Sequence, residues 1–300
     1  MYRLVLWGMG KEYNRRVNLL KMYEKSADIT IAGIVAKDAP NCLSVDGWNL
    51  LKKEELLQSN FDYIIIQSDK YFGEISKEIV ELGISQKKVI NAKVLDIPYF
   101  DWQKYIEIKE KRLTIITNNC MGGMLYNTLG LECISPFKNL WVDPLVLCQK
   151  FKDIKGWIHK APQFKEWQVD IHNGKSYPVG CIDDMVIHFN HDYLWEEAVA
   201  KWNRRKEKIN LDALFLMIYA ENQETIELFS ELANSGIKGV CFVSEQFAEY
   251  AKANSVYVLK LMPGQKEFYE TVNSNVTIEK NGMIYDLLGM VMGEKHYRMA

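Results

Sequence analysis

The sequence predicts an α/β protein of two layered domains, and three observations carry that prediction. Short apolar runs of strand length alternate with segments whose apolar residues recur at helical spacing. The chain has 300 residues, more than the roughly 100–200 of one domain. A charge-rich stretch at 96–112, DIPYFDWQKYIEIKEKR, interrupts the alternation, and Pro98 turns Ile97 away from helix. The division this implies is residues 1–110 and 111–300, with no low-complexity linker and no internal repeat.

Bulk properties narrow the function classes. With 48% apolar and 25% charged residues, the chain can bury a large core without disulfide or metal staples. A net charge of -2 gives no bulk attraction to nucleic acid or to an anionic membrane. No apolar run approaches the ~18–20 residues of a membrane span. The opening MYRLVLWGMG enters a strand directly, without the pattern of a secretory leader. Cysteines 42, 120, 133, 148, 181 and 241 include no Cys-x-x-Cys pair, which argues against a zinc ribbon and for reduced thiols. The expectations are a cytoplasmic location, no nucleic-acid partner and no membrane span; an oligomer is allowed.

In the first domain, RLVLWGMGKEYNRRVNLLKMYEK reads as strand, glycine turn and helix, with Tyr13, Val17, Leu20 and Tyr23 at helical spacing. The strand ITIAGIV follows, ending before Lys37-Asp38, and then a charged helix, LKKEELLQ. The strand FDYIIIQSD, a helix bearing Phe72, Ile75, Ile79 and Leu82 with Gly83 as C-cap, and the strand KKVINAKVL complete the domain. This order predicts a Rossmann-like, doubly wound parallel sheet. Gly8 and Gly10 could seat a pyrophosphate at the helix N-terminus, with Asp38 on the ribose hydroxyls. Tyr13 stands where a dinucleotide fingerprint has its third glycine, so a purely structural turn is the competing reading. No cofactor is named by the pattern.

The second domain reads as a strand (113–117), a loop, a helix, then a helix opened by Asp143-Pro144 with Leu147, Cys148, Phe151 and Ile154 as its stripe. YPVGCIDDMVIHFNHD reads as one central strand, followed by a helix from Tyr193 to Ile209, the strand LDALFLMIYA, a helix, and the strands KGVCFVSE and VYVLKLM.

Three stretches carry chemistry. In the loop of LTIITNNCMGGMLYNTLGL, Asn118 and Asn119 offer amides suited to sugar hydroxyls, and Gly122 and Gly123 open a helix whose N–H groups can face an anion. Cys120 is expected to touch a ligand or fill a turn rather than to act as a nucleophile. In the second stretch, Asp183, Asp184 and His188 are acid–base candidates and His191 a ligand contact. Asp184 and His188 lie ~13 Å apart along an extended strand, too far for a direct pair. Neither the His188/His191/Asp192 spacing nor Asp183-Asp184 matches a familiar metal pattern, so no metal is expected. In WEEAVAKWNRRKEKI, Trp195, Ala198, Val199, Trp202 and Ile209 share one side. Arg205 at its flank clamps a ligand anion or pairs structurally with Asp183 or Asp184.

The segments TNNCMGG, LGLECISPF, YPVGCIDDMVIHFNHDY and EEAVAKWNRRKEKI, in that order, resemble a bacterial family commonly labelled exopolysaccharide biosynthesis proteins. The features LVLWGMG, IAGIVAKD and FDYIIIQSD resemble the Rossmann-like unit of some acyltransferases and methyltransferases of glycan pathways. The resemblance implies a role in making or modifying surface glycans, on a sugar phosphate, nucleotide sugar or growing glycan. It supplies no catalytic residue. The competing expectation is a non-catalytic ligand-binding or assembly protein built on two scaffolds.

Overall fold

Strand β1 (Tyr2–Trp7) leads through a glycine turn into α1 (Lys11–Lys25) and back to β2 (Ile29–Val35). The computed structural model describes residues 1–37, 42–171, 173–252, 255–258 and 286–294. Its chain divides into two units, Met1–Gln103 and Lys104–Ala300. Asp38 lies outside the described residues.

In the first unit a short antiparallel pair, β3 (Ser44–Val45) and β4 (Trp48–Asn49), follows β2. Next come β5 (Tyr63–Ile66), α2 (Phe72–Glu81) and β6 (Val89–Asn91). Four strands form a parallel sheet in the order β2-β1-β5-β6, so the direction of winding reverses between β1 and β5. Val5, Trp7, Ile64 and Ile66 pack with Ile79 of α2 on one face. The expected helix LKKEELLQ is a tighter 3₁₀ turn over Lys53–Gln58. Helix α1 buries Tyr13 and Leu20 as its spacing predicts, and also Arg16, only 2% exposed. That guanidinium is tolerated because Asp96 accepts from its Nε at 3.1 Å and Glu12 lies 3.0 Å away. Burial works to raise the Asp96 carboxyl, but the hydrogen bonds from Arg16 and Arg15 outweigh it and hold it below the usual carboxylate range.

Helix α3 (Trp102–Lys111) is followed in the second unit by β7 (Thr114–Thr117), α4 (Met121–Thr128), β8 (Trp141–Val142), α5 (Pro144–Phe151) and α6 (Ile154–Trp157). Then come β9 (Gln163–Val169), β10 (Ser176–Ile182), β11 (Met185–His188) and α7 (Trp195–Lys206). The last described elements are β12 (Leu214–Ala220), α8 (Gln223–Asn234), β13 (Gly239–Val243), β14 (Val256–Val258) and α9 (Leu287–Met292). Strands β14-β13-β12-β7 make one parallel sheet, and β8-β11-β10-β9 make an antiparallel one. A shared core joins Ile116, Leu216 and Ile218 of the first sheet to Ile182, Met185 and Ile187 of the second, and includes Trp157 of α6 and Trp202 of α7. Asp143 caps α5, its Oδ1 accepting from Val146 N at 3.0 Å, with Pro144 in the first turn.

One expected element is corrected. The stretch 177–192 is a hairpin rather than one central strand: Ile182 pairs with Met185, and Asp183-Asp184 form the two-residue turn. Asp183 sits at φ 53, a left-handed conformation that Asp tolerates. The turn shifts the parity of the strand, so Val179 and Cys181 share a face with Val186 and His188, not with Met185 and Ile187. Strand β9, unmarked in the sequence, is an edge with Phe164, Trp167 and Val169 exposed.

Candidate functional site

The end of β7 and the turn after β11 bring two reactive side chains together. Cys120 Sγ lies 3.1 Å from His191 Nε2, although 71 residues separate them. The thiol belongs to the residue that caps α4. Met121 N is taken by Asn119 Oδ1 at 2.9 Å, which leaves the N–H groups of Gly122 and Gly123 as the first-turn donors without a helical acceptor. His191 is placed by a tight turn in which Asp192 N donates to Phe189 O at 2.9 Å. Phe189 is buried against Trp195 and Trp202, and Asp192 is ion-paired with Lys201 of α7. The imidazole is therefore held from both sides of its turn while remaining exposed.

Burial pushes the Cys120 thiol up to about 11, so at neutral pH it rests as the thiol. With the ring proton on Nδ1, Nε2 accepts from the thiol. Asn190 Oδ1, next in sequence to His191, is buried without a hydrogen-bond partner, and Ser244 Oγ, just beyond β13 of the sheet that holds β7, is likewise unpartnered. Asn190 Oδ1 is an acceptor without a donor, and the Ser244 hydroxyl, at the carboxyl end of a parallel strand, is unmet as donor and acceptor.

Other expected site residues have other positions. Asn118, 2% exposed, is bound up in the sheet: its Nδ2 donates to Tyr219 O at 3.2 Å and its Oδ1 accepts from Tyr219 N at 2.9 Å. The glycines answer to packing. A Cβ at Gly122 would meet Thr117 Cγ2 at 2.6 Å, and one at Gly123 would clash with Asn139 Oδ1. His188 faces Trp141 and Tyr177, with Tyr177 Oη 3.3 Å from its Nδ1. Burial, with the nearby Lys165 charge, lowers its pKa.

The carboxylates stand apart from the pair. Asp183 and Asp184 lie at the hairpin tip, exposed, and pair with Lys160 and Lys150 respectively. Four residues of strand, ~13 Å, separate Asp184 from His188. Arg205 has no ion pair among the described residues and does not meet either Asp; it lies near Cys133, at the end of α7 remote from His191, ~15 Å along the helix from Trp195. In the first unit, Gly8 adopts φ +103 and Gly10 caps α1 without a side-chain hydrogen bond. Among the described residues all six cysteines are free, no group of three or more His, Cys, Asp or Glu could hold a metal ion, and no helix is long and apolar enough to cross a membrane.

The signal that sequence reasoning missed is the Cys120–His191 contact itself. Both residues stood out singly, but nothing in a linear pattern measures the distance between a strand end at 117 and a turn at 189–192.

Two family models match successive parts of the chain. Residues 1–90 match the family described as C2185-like, N-terminal. A protein of Haemophilus influenzae, described as an uncharacterized protein, is 30% identical over 129 residues. The aligned part spans 42% of this chain and 60% of that relative. Residues 91–288 match the family described as Domain of unknown function (DUF1919). The match covers more than half of the sequence, and the chain belongs to the DUF1919 family.

Proposed function

We propose that this protein is a cysteine-dependent transferase of surface-glycan synthesis, moving an acyl group between a thioester donor and a hydroxyl of a sugar derivative. The observation that carries the reading is the 3.1 Å contact between Cys120 Sγ and His191 Nε2 at the start of α4. A thiol beside an imidazole at a helix N-terminus has the parts of an activated nucleophile. As Cys120 Sγ bonds to the acyl carbon, His191 Nε2 takes the thiol proton. The donor's carbon–sulfur bond then breaks, and the proton passes from His191 to the leaving thiolate. In the second half a sugar hydroxyl attacks the acyl-cysteine, His191 takes the hydroxyl proton, and Cys120 leaves and recovers it. In each half the first-turn N–H groups of Gly122 and Gly123 donate to the oxyanion.

The acceptor class follows from unmet polar atoms of the same unit. Asn190 Oδ1 and Ser244 Oγ can accept from hydroxyls without displacing an existing bond, which suits a carbohydrate better than an apolar substrate. The resemblance of TNNCMGG and the segments after it to proteins labelled for exopolysaccharide biosynthesis supports the glycan setting and a cytoplasmic place of action. In the first unit, the strand order β2-β1-β5-β6 supports a Rossmann-like, doubly wound reading.

The test is transfer by the purified chain from a panel of short-chain acyl thioesters to nucleotide sugars and oligosaccharides. Transfer by the wild type, loss in Cys120→Ala, loss of at least a hundredfold in His191→Gln and retention in Asp183→Asn/Asp184→Asn support the reading. Transfer that survives Cys120→Ala refutes it. Sugar binding with no transfer from any donor moves the function to ligand binding or assembly.

A further inference from the structure

We infer that the first unit holds a nucleoside diphosphate at the junction of β1, α1 and β5, with Gln67 as its recognition residue. The winding of the sheet reverses between β1 and β5, and such a reversal opens a crevice at the carboxyl ends of the two strands. Gly8 follows β1 there at φ +103, a conformation glycine accepts freely, and its N donates to Val35 O at 2.8 Å. Gly10 then caps the 15-residue α1 with no side-chain hydrogen bond, and a Cβ at Gly10 would meet nothing within 4 Å. The space beside the Gly10 Cα, at the positive end of a helix dipole, is therefore open.

Gln67 is the independent observation. It follows β5, its N bonded to Trp7 O at 2.8 Å, and its Cβ lies 3.8 Å from where a Gly8 Cβ would stand. The residue is only 2% exposed, yet neither Nε2 nor Oε1 has a hydrogen-bond partner. Val5, Trp7, Ile64 and Ile66 pack towards α2; strand alternation sends Gln67 to the opposite, α1 side. An amide with donor and acceptor both unmet, beside uncapped helix amides, matches a ligand that brings phosphate oxygens together with a polar base or ribose. Tyr13, 2% exposed and bonded through its hydroxyl to Asp46 at 2.7 Å, packs where a dinucleotide fingerprint has its third glycine. The site thus takes one nucleoside with its phosphates rather than a dinucleotide.

Titration calorimetry of the full chain with UDP, ADP and inorganic pyrophosphate tests this. Gly10→Asp places a carboxylate where a helix cap is favoured, so the chain stays folded, with an equal or higher melting temperature, while all three probes bind at least tenfold more weakly. Gln67→Leu weakens the nucleoside diphosphates at least tenfold and leaves pyrophosphate binding as in the wild type. Absence of binding by every probe at millimolar concentration overturns the inference, and so does unchanged binding by Gly10→Asp. If Gln67→Leu fails to fold, the Gly10→Asp result decides alone. Cys120→Ala, which disables the transfer proposed for the second unit, leaves nucleotide binding at the wild-type level and keeps the two claims separate.

Discussion

Asn118→Ala is expected to destabilise the second unit by about 4 kcal/mol without touching a reactive group. The Asn118 side chain is buried at 2% exposure and extends the β7–β12 ladder one step past the strand end, meeting both backbone groups of Tyr219. Alanine removes that amide and strips the two groups of it in an environment water does not reach. Each such loss costs about 1–3 kcal/mol, so two cost about 2–6. At about 2–4 °C per kcal/mol for a unit of this size, the melting temperature falls by about 8–16 °C. Differential scanning calorimetry reads the shift, and Asn119→Ala is the internal control. Asn119 is half-buried and contributes one cap-like bond to Met121 N, so its loss costs about 1 kcal/mol. A fall of under about 1 kcal/mol for Asn118→Ala, or a larger fall for Asn119→Ala, would refute the assignment of Asn118 to the sheet.

Gly123→Ala is expected to cost about 1–3 kcal/mol through overpacking against Asn139. Asn139 holds φ 56, so Asn139→Gly relieves the clash without backbone strain, and urea denaturation of the double variant returns towards the wild type. Because burial sets the Cys120 thiol at about 11, its alkylation by iodoacetamide, followed by peptide mass spectrometry, rises about tenfold per pH unit between pH 7 and 10; a plateau from pH 6 to 8 would instead reveal a thiolate–imidazolium pair. Burial and Lys165 depress the His188 pKa, so the unfolded chain binds the extra proton as pH falls below about 6.5. The His188 contribution is complete above that pH and is lost as pH falls through the folded value. His188→Gln therefore flattens this acid-side slope in stability measured against pH.

Much of the fold was legible because local pattern and burial agree there. The strand–helix order of the first unit, the Asp143-Pro144 start and the Trp195–Trp202 stripe were all visible as periodicity or capping chemistry. The hairpin of 176–188 was not. Apolar alternation runs unbroken up to Ile182 and resumes at Met185, and the turn between them carries two aspartates in place of the Gly or Asn that usually marks one. A strand read through that turn put Asp183 and Asp184 in the interior; the structure puts them at an exposed tip with lysine partners. Strand β9 escaped notice because Phe164, Trp167 and Val169 are exposed on an edge, where no buried face imposes a pattern. Arg16 was hidden inside a helical stripe because its burial is tolerable only with the distant Asp96 beside the local Glu12.

The candidate site divides along the same line. The residues of the loop after β7 drew attention by composition, since Asn-Asn-Cys followed by Gly-Gly is unusual chemistry at a strand end. Their separate duties depend on packing: Asn118 serves the sheet, the glycines admit Thr117 and Asn139, and Cys120 alone meets an imidazole. His188 and His191 are three residues apart in sequence, yet the turn after Phe189 brings only His191 to the thiol.

Intact-protein mass spectrometry after brief exposure to a short-chain acyl thioester, with no acceptor present, tests the nucleophilic role of Cys120 most directly. The account predicts one added acyl group, mapped to the peptide containing Cys120, absent from Cys120→Ala and formed at least a hundredfold more slowly in His191→Gln. An unmodified wild-type chain across the donor panel, or an adduct that persists in Cys120→Ala, would contradict it.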